Sequence, residues 1–132
     1  MGDAYQDGIV ATLHNFQTKS LKNLEEDLKL FSGYRPMELI LPCLYSELDG
    51  LALNHIVEEI SKVDYLNHVI IGLDRADRDQ YRIAHSFFQN LNKPFSLLWN
   101  DGPRIQNIHS QLVDRGLAPT EPGKGRNVWY CI

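Results

Sequence analysis

The sequence predicts an α/β fold built on a parallel sheet. Three short runs, at residues 37–44, 68–73 and 95–99, have the nearly continuous hydrophobicity of strands that are buried on both faces. Segments with a helical spacing of apolar residues separate them. Strands and helices that alternate in this way form βαβ units. We expect right-handed crossovers to place helices on both faces of the sheet.

The first predicted helix covers residues 18–31 and precedes the sheet. Thr18 or Ser20 can cap its start, and Gly33 can end it. Its apolar residues recur every three or four positions, as on one face of a helix: Leu21, Leu24, Leu28 and Phe31. Residues 1–17 show no clear period. We assign residues 1–35 to an N-terminal helical extension.

Three further helices are predicted between and after the strands. The second covers about residues 51–63 and has Asp49 as its cap, with an inward face of Leu53, Ile56, Val57 and Ile60. The third covers about residues 78–91, with an inward face of Ile83, Ala84, Phe87, Phe88 and Leu91. The fourth covers about residues 103–116 and carries the apolar residues Ile105, Ile108, Leu112 and Val113.

Three segments converge at the carboxyl ends of the three strands, at residues 42–47, 74–78 and 100–102. In open parallel sheets, ligands bind beyond the carboxyl ends of the strands. The ring of Tyr45 can stack on a nucleotide base there. Asp74 or Glu47 can accept hydrogen bonds from a base or a ribose. The ends of the strands therefore predict a nucleotide pocket.

The last part of the sequence contains a turn that suits phosphate. Gly123, Lys124 and Gly125 open a predicted helix that continues to the end of the sequence. Glycine lets the backbone come close to a ligand, and a helix N-terminus offers free N–H donors and partial positive charge. The lysine adds a full charge. This turn is the candidate site for a diphosphate.

Several of these residues also have a purely structural interpretation. Pro42 can serve only to stop edge pairing of its strand. Asp74 and the aspartates after it alternate with arginines, and such residues can be caps and weak surface ion pairs. Residues 100–103 form a good turn-and-cap sequence, which we interpret as structural.

Composition and charge exclude several classes of protein. The 132 residues carry a net charge of -4, so no bulk charge favours nucleic acid or an anionic membrane. No apolar run approaches the roughly 20 residues that span a bilayer. Residues 1–8 are polar and acidic, so we expect no signal peptide there. Cys43 and Cys131 lie in apolar segments, as buried thiols do. We expect a cytoplasmic protein without nucleic-acid or membrane partners.

Three common motifs are absent from the sequence. No strand is followed by Gly-x-Gly-x-x-Gly, the fingerprint of dinucleotide binding. Lys124 precedes a glycine rather than Ser or Thr, and Ala118 stands where a Walker loop has glycine. There is no Gly-x-Ser-x-Gly elbow of a hydrolase.

Taken together, these segments resemble the start of a GT-A glycosyltransferase. The resemblance lies in the sequence Leu-Pro-x-x-x-x-Glu at residues 41–47, the second strand ending at Asp74, and Glu-Pro-Gly-Lys-Gly at residues 121–125. Within that fold the sequence is most similar to glucosyl- and mannosyl-3-phosphoglycerate synthases and to family-2-like enzymes. The resemblance implies that residues 36–132 are a partial nucleotide-sugar-binding domain, the Rossmann-like half of a truncated GT-A domain.

The resemblance also implies an activity: transfer of a sugar from a nucleotide-diphosphate donor to a small acceptor such as 3-phosphoglycerate. The nucleotide-sugar pocket would consist of Pro42, Leu44, Tyr45, Glu47, Asp74, Gly123, Lys124 and Gly125. In it Asp74 would contact the base and Lys124 would hold the diphosphate. Such enzymes bind Mg²⁺ or Mn²⁺ through an Asp-x-Asp motif on a later strand. We expect those ligands outside this chain, which alone would be inactive and contain no catalytic residue.

Two other hypotheses remain open at this point. A non-catalytic, flavodoxin-like or receiver-type interaction module would use the acidic residues Glu47, Asp49 and Asp101, with Lys124 later in the chain. An independent small domain would pair the open edge of its sheet in a homo-oligomer.

The sequence departs from the glycosyltransferase pattern at one place. Family-2-like enzymes usually carry a serine- and glycine-rich turn after the second strand, where this sequence has Asp-Arg-Ala-Asp at residues 74–77.

Overall fold

The computed structural model describes residues 20–132. In this part of the chain the predicted helices and strands appear in the predicted order. They are α1 (Leu21–Tyr34), β1 (Met37–Leu44), α2 (Leu51–Lys62), β2 (Leu66–Asp74), α3 (Arg78–Phe88), β3 (Phe95–Trp99), α4 (Pro103–Val113) and α5 (Lys124–Cys131). Short 3-10 turns follow β1 at Tyr45–Glu47 and α3 at Gln89–Leu91.

The three strands form one parallel sheet in the order β1-β2-β3, which confirms the predicted fold class. In its register Leu41 lies opposite Ile71, and Ile71 lies opposite Leu97. Because each strand is added on the same side of the previous one, two right-handed crossovers place their helices on the same face. The expectation that the crossovers would cover both faces is therefore wrong.

The core lies between the sheet and the two crossover helices. Side chains alternate between the faces of a strand, so Val69, Ile71 and Leu73 of β2 point to one face. They form one buried cluster with residues of the crossover helices and the turn after α3: Leu53, Val57, Ala84, Phe88 and Leu91. This cluster fixes β2 as the centre of the domain.

Helix α5 lies on the opposite face of the sheet, against β2 and β1. Its buried residues Asn127 and Cys131 contact β2 at Gly72, where a Cβ atom would overlap the Asn127 side chain. Towards the other end of this face Ile70 and Leu98 are only partly buried and border an open groove. In the described part of the chain this second face is thus covered mainly near the carboxyl ends of the strands.

Several predicted details of the helices need correction. Helix α1 runs through Gly33 to Tyr34 rather than ending at the glycine. The N-cap of α2 is Gly50, not Asp49, and no side chain caps it. Ile56 and Ile83, expected to face inward, are largely exposed. Of the two predicted caps of α1, Ser20 is the N-cap and accepts from the N–H of Asn23, whereas Thr18 lies outside the described residues.

Helix α1 is attached to the body of the domain at few points. It has no buried residue, although its sequence is amphipathic. An exposed ion pair joins Lys29 to Asp64, with 2.8 Å between Nζ and Oδ2. The assignment of residues 1–35 to a separate extension stays a prediction. No helix within residues 20–132 has the length and apolar character to cross a membrane.

Candidate functional site

A cleft of about 290 Å³ opens at the carboxyl ends of β1 and β2, beside the start of α5. Its lining residues are Pro42, Cys43, Leu44, Glu47, Asp74, Arg75, Gly123, Lys124 and Asn127. Three segments that are far apart in the sequence therefore meet at one place. This is the position at which open parallel sheets bind ligands.

The cleft brings together most, but not all, of the residues expected in a nucleotide pocket. Pro42, Leu44, Glu47, Asp74, Gly123 and Lys124 line it. Tyr45 packs against the hydrophobic core instead, and Gly125 is exposed in the first turn of α5 without lining the cleft. Their predicted contacts with a nucleotide have no support in the geometry of the cleft.

Three lining residues were not expected from the sequence. Cys43 lies between two predicted pocket residues and was interpreted only as a buried thiol. Asn127 could not be predicted, because helical spacing does not show which polar residue of a short helix faces the sheet. Arg75 was interpreted as part of a surface ion pair, yet it forms none within residues 20–132, whereas Arg82 of the same charged run does pair with Asp79. The sequence did contain one indication that Arg75 is unusual: it stands where family-2-like enzymes have a serine- and glycine-rich turn.

At the end of β1 the chain turns sharply and is held by Glu47. The Leu44 N–H donates to Glu47 Oε2 at 2.8 Å, which closes the 3-10 turn after the strand. Burial, with the nearby Glu47 carboxylate as a smaller cause, raises the pKa of the Cys43 thiol to about 12. The thiol is therefore protonated at neutral pH, and burial disfavours the thiolate form.

At the end of β2 a carboxylate is buried without a partner. Asp74 is 8% exposed and lies opposite Leu44 in the register of the sheet. No group within residues 20–132 donates a hydrogen bond to its side chain. Burial of a charged group without partners is unfavourable, so an unpaired carboxylate at a cleft is suited to accept hydrogen bonds from a ligand.

The loop after Asp74 is fixed by residues at the end of β3. The Ala76 N–H donates to Asp101 Oδ2 at 3.0 Å, and Trp99 Nε1–H donates to the Ala76 carbonyl at 2.7 Å. Asp101, predicted to be structural, is confirmed in that role by this contact. Arg75, between Asp74 and Ala76, adopts a left-handed backbone conformation with φ of 55°.

The start of α5 forms the third wall of the cleft. Gly123 is the N-cap and has a φ of 148°, a conformation that favours glycine, and Lys124 is exposed beside it. Farther along the helix, Asn127 Nδ2 donates to the Gly72 carbonyl at 2.9 Å. Because Asn127 is only 3% exposed, this contact fixes the helix start against β2.

The described part of the chain does not fit a metal ion. No group of three or more His, Cys, Asp and Glu side chains in residues 20–132 has the arrangement of a metal site. The acidic residues of the receiver-type hypothesis are also dispersed, because Glu47 closes the turn after β1 while Asp101 holds the loop after β2. Neither residue is free to form an acidic cluster with the other.

The fold and the cleft define a class of protein: an α/β domain with a ligand cleft at the ends of parallel strands. Two curated relatives then specify the resemblance. A glucosyl-3-phosphoglycerate synthase of Persephonella marina is 40% identical over 132 residues, which are 100% of this chain and 33% of that relative. A glucosyl-3-phosphoglycerate synthase of Methanococcoides burtonii is 34% identical over 132 residues, 98% of this chain and 32% of that relative.

These relatives confirm the resemblance that the motifs predicted. The chain spans about a third of the length of the curated relatives that it matches. No family model matches the sequence, and no solved structure matches it.

Proposed function

We propose that this chain is the nucleotide-binding portion of a glycosyltransferase that transfers a sugar from a nucleotide-diphosphate donor to 3-phosphoglycerate or a similar small acceptor. The observation that carries the proposal is the meeting of Glu47, Asp74 and Lys124 at one cleft. The similarity to two glucosyl-3-phosphoglycerate synthases supports both the reaction and the acceptor.

The two ends of the cleft carry groups that suit the two ends of a nucleoside diphosphate. Lys124 and the free N–H groups at the start of α5 provide positive charge and donors for phosphate oxygens. The unpaired carboxylate of Asp74 provides an acceptor for base or ribose donors. In the proposed arrangement the base lies over the end of β2, and the diphosphate lies towards α5.

In the proposed reaction the bond between the sugar and the diphosphate breaks, and negative charge develops on the leaving diphosphate. The ammonium group of Lys124 would stabilise that charge. Divalent metal ions often share this task. Because the described residues form no metal site, we propose that Mg²⁺ or Mn²⁺ is held by residues of the full-length enzyme outside this part of the chain.

The domain boundary that we propose follows from the same assignment. Residues 36–132 would form the partial nucleotide-sugar-binding domain, and residues 1–35 an extension. The absence of buried residues in α1 supports this division. The binding site for the small acceptor molecule would then lie in other parts of the full-length enzyme.

The full-length enzyme that contains this sequence provides the direct test. Incubation with uridine or guanosine diphosphate glucose, 3-phosphoglycerate and Mg²⁺ should give a glucosylated product with release of the nucleoside diphosphate. Omission of 3-phosphoglycerate is the control for hydrolysis of the donor. Absence of the product with every donor sugar, although the enzyme is folded and binds the nucleotide, would reject the proposed reaction.

A further inference from the structure

Arg75 combines three properties that occur together in no other non-glycine residue of the described chain. It lines the cleft, its side chain is exposed, and its backbone is left-handed with φ of 55°. The other non-glycine residue with positive φ in residues 20–132 is Asn92, at 51°. Asparagine tolerates this conformation well, whereas arginine does not. The chain therefore keeps an unfavourable residue at the edge of the cleft.

The surrounding structure holds Arg75 in this conformation. Asp74 before it is the last residue of β2, and Ala76 after it is held at its N–H by Asp101 and at its carbonyl by Trp99. Strained backbone of this kind persists where neighbours fix it, and it concentrates at ligand sites. The two hydrogen bonds from the end of β3 thus fix where the Arg75 side chain leaves the backbone.

The guanidinium group has no partner inside the described structure. No residue in 20–132 forms an ion pair or hydrogen bond with it, although the carboxylates of Asp74 and Glu47 line the same cleft. A guanidinium carries five N–H donors and no acceptor. Water accepts from these donors while Arg75 is exposed, and a ligand that replaces this water must present acceptor atoms.

We propose that Arg75 is a ligand-binding residue whose guanidinium donates hydrogen bonds to acceptor oxygens of the nucleoside diphosphate. The inference rests on the proposed function, and it adds a contact that the motifs did not predict. The oxygens belong either to the phosphates or to a carbonyl group of the base. Both present the same acceptor chemistry, and binding measurements with parts of the nucleotide separate them.

Arg75→Gly in the full-length enzyme is the informative substitution. Glycine adopts positive φ without strain, so the melting temperature should stay equal or rise. Binding of uridine or guanosine diphosphate, whichever the unmodified enzyme prefers, should weaken about tenfold or more, as expected for lost hydrogen bonds to charged groups. A residue with only a structural role would not give higher stability together with weaker binding.

Asn92→Gly is the matched control, because it relieves the same backbone conformation away from the cleft. Its melting temperature should also stay equal or rise, with unchanged affinity. Arg75→Lys should retain part of the affinity, since it keeps the charge and loses the planar donors.

Titrations with pyrophosphate and with the free nucleoside identify the oxygens. Weaker binding of pyrophosphate by Arg75→Gly assigns the contact to phosphate, and weaker binding of the nucleoside assigns it to the base. Affinity of Arg75→Gly equal to that of the unmodified enzyme for the nucleoside diphosphate overturns the inference alone. An unmodified enzyme that binds no nucleoside diphosphate overturns the proposed function and this inference together.

Discussion

At the end of β2 two adjacent residues of opposite charge, Asp74 and Arg75, line the same cleft without pairing with each other. Across the cleft, Lys124 is exposed at the start of α5. Of the three groups only Asp74 is buried, where an unpaired charge is costly, whereas Arg75 and Lys124 are exposed. Their arrangement leaves one acceptor and two cations available to the same ligand.

Lys124→Ala tests the phosphate end of the cleft. In the full-length enzyme this substitution should weaken binding of the nucleoside diphosphate by about 1.5–3 kcal/mol, the range for hydrogen bonds to charged groups. Titration calorimetry with the nucleoside diphosphate measures it. The free energy of unfolding should barely change, since the side chain is exposed. Equal affinity, or a large loss of thermal stability, would assign Lys124 a structural role instead.

Cys43 makes stability depend on pH in the alkaline range. Its pKa rises from an ordinary value of 9.0 to about 12 in the folded protein, mainly through burial. Between these values the unfolded chain releases the thiol proton and the folded chain keeps it, so this contribution to stability falls as pH rises. Denaturant unfolding of the unmodified enzyme and of Cys43→Ala should show a constant difference up to about pH 8 and a shrinking one above pH 9.

Tyrosines and lysines also titrate in this pH range, but both proteins contain them, so their contributions cancel in the difference between the two unfolding free energies. A difference in unfolding free energy that stays constant to pH 10.5 would show that the folded thiol titrates like an unfolded one. Slow alkylation of Cys43 in the folded protein at pH 8 is the independent check.

At the residue scale, the sequence predicted cleft-lining residues best where a local backbone motif, such as a glycine turn before a helix, marks the position. Gly123 and Lys124 line the cleft, as the glycine–lysine turn before a helix suggested, and their contact with phosphate stays a prediction. Tyr45 packs against the core and does not line the cleft, since an aromatic side chain after a strand can pack into the core as readily as it can stack on a base. Asn127 and the strained backbone of Arg75 depend on how α5 and β3 pack against β2, and no local pattern specifies such packing.

Among the elements, α5 and β2 are joined by a close contact at one glycine. A Cβ atom at Gly72 would overlap Asn127 Oδ1 and lie 2.9 Å from Cys131 Sγ. Only glycine lets the helix approach the strand closely enough for Asn127 Nδ2 to reach the Gly72 carbonyl. The position of the Lys124 turn therefore depends on a residue in the middle of the sheet.

Gly72→Ala should consequently destabilise the full-length enzyme by about 1–3 kcal/mol, as overpacking does in a filled core. It should also weaken nucleoside diphosphate binding, because α5 must shift. Chemical denaturation and titration measure the two effects. Gly33→Ala in α1 is the control: beyond its chain neighbours and the helix's own backbone, no atom of residues 20–132 lies within 4 Å of its added Cβ, and alanine favours a helix by about 0.5–1 kcal/mol.

The double variant Gly72→Ala/Asn127→Ala tests whether the two residues interact directly. Removal of the Asn127 side chain leaves room for the new methyl group, so the combined loss of stability should be smaller than the sum of the single losses. Strictly additive losses would show that the Gly72 effect arises elsewhere, for example at Cys131.

The order and type of the elements followed from apolar patterns, whereas the ends of β2 and of the helices did not. The strands were found because buried parallel strands have continuous hydrophobicity, and β3 was predicted with its exact bounds. Asp49 was chosen as a cap on residue type alone, but the turn after β1 places Gly50 at that position. Ile56 and Ile83 were placed inward because apolar type does not reveal how wide a face the sheet covers.

For the molecule as a whole, the uneven cover of the sheet is the dominant feature. Both outer edges of the described sheet, on β1 and β3, lack a strand partner within residues 20–132. Ile132 is exposed beside the open groove on the thinly covered face, and Ile108 and Leu117 are exposed elsewhere on the surface. Unpaired edges and exposed apolar surface favour association with another chain.

Residues 1–132 produced alone should therefore self-associate or unfold readily. Sedimentation velocity at micromolar concentration should detect species larger than a monomer, or thermal melting should lack a cooperative transition. The full-length enzyme under identical conditions is the control for the effect of the remaining chain. A monomer with one cooperative melting transition would show that this part is an independent domain.

The strand order β1-β2-β3 also has a consequence for how the protein folds during its synthesis. Each strand pairs with the one made just before it, and each crossover helix covers the pair that it connects, so the core can form in the order in which the ribosome delivers it. The cleft is completed later than the core. Its third wall forms only when Asn127 reaches back 55 positions to Gly72. Binding competence should thus appear last, after the hydrophobic core is complete.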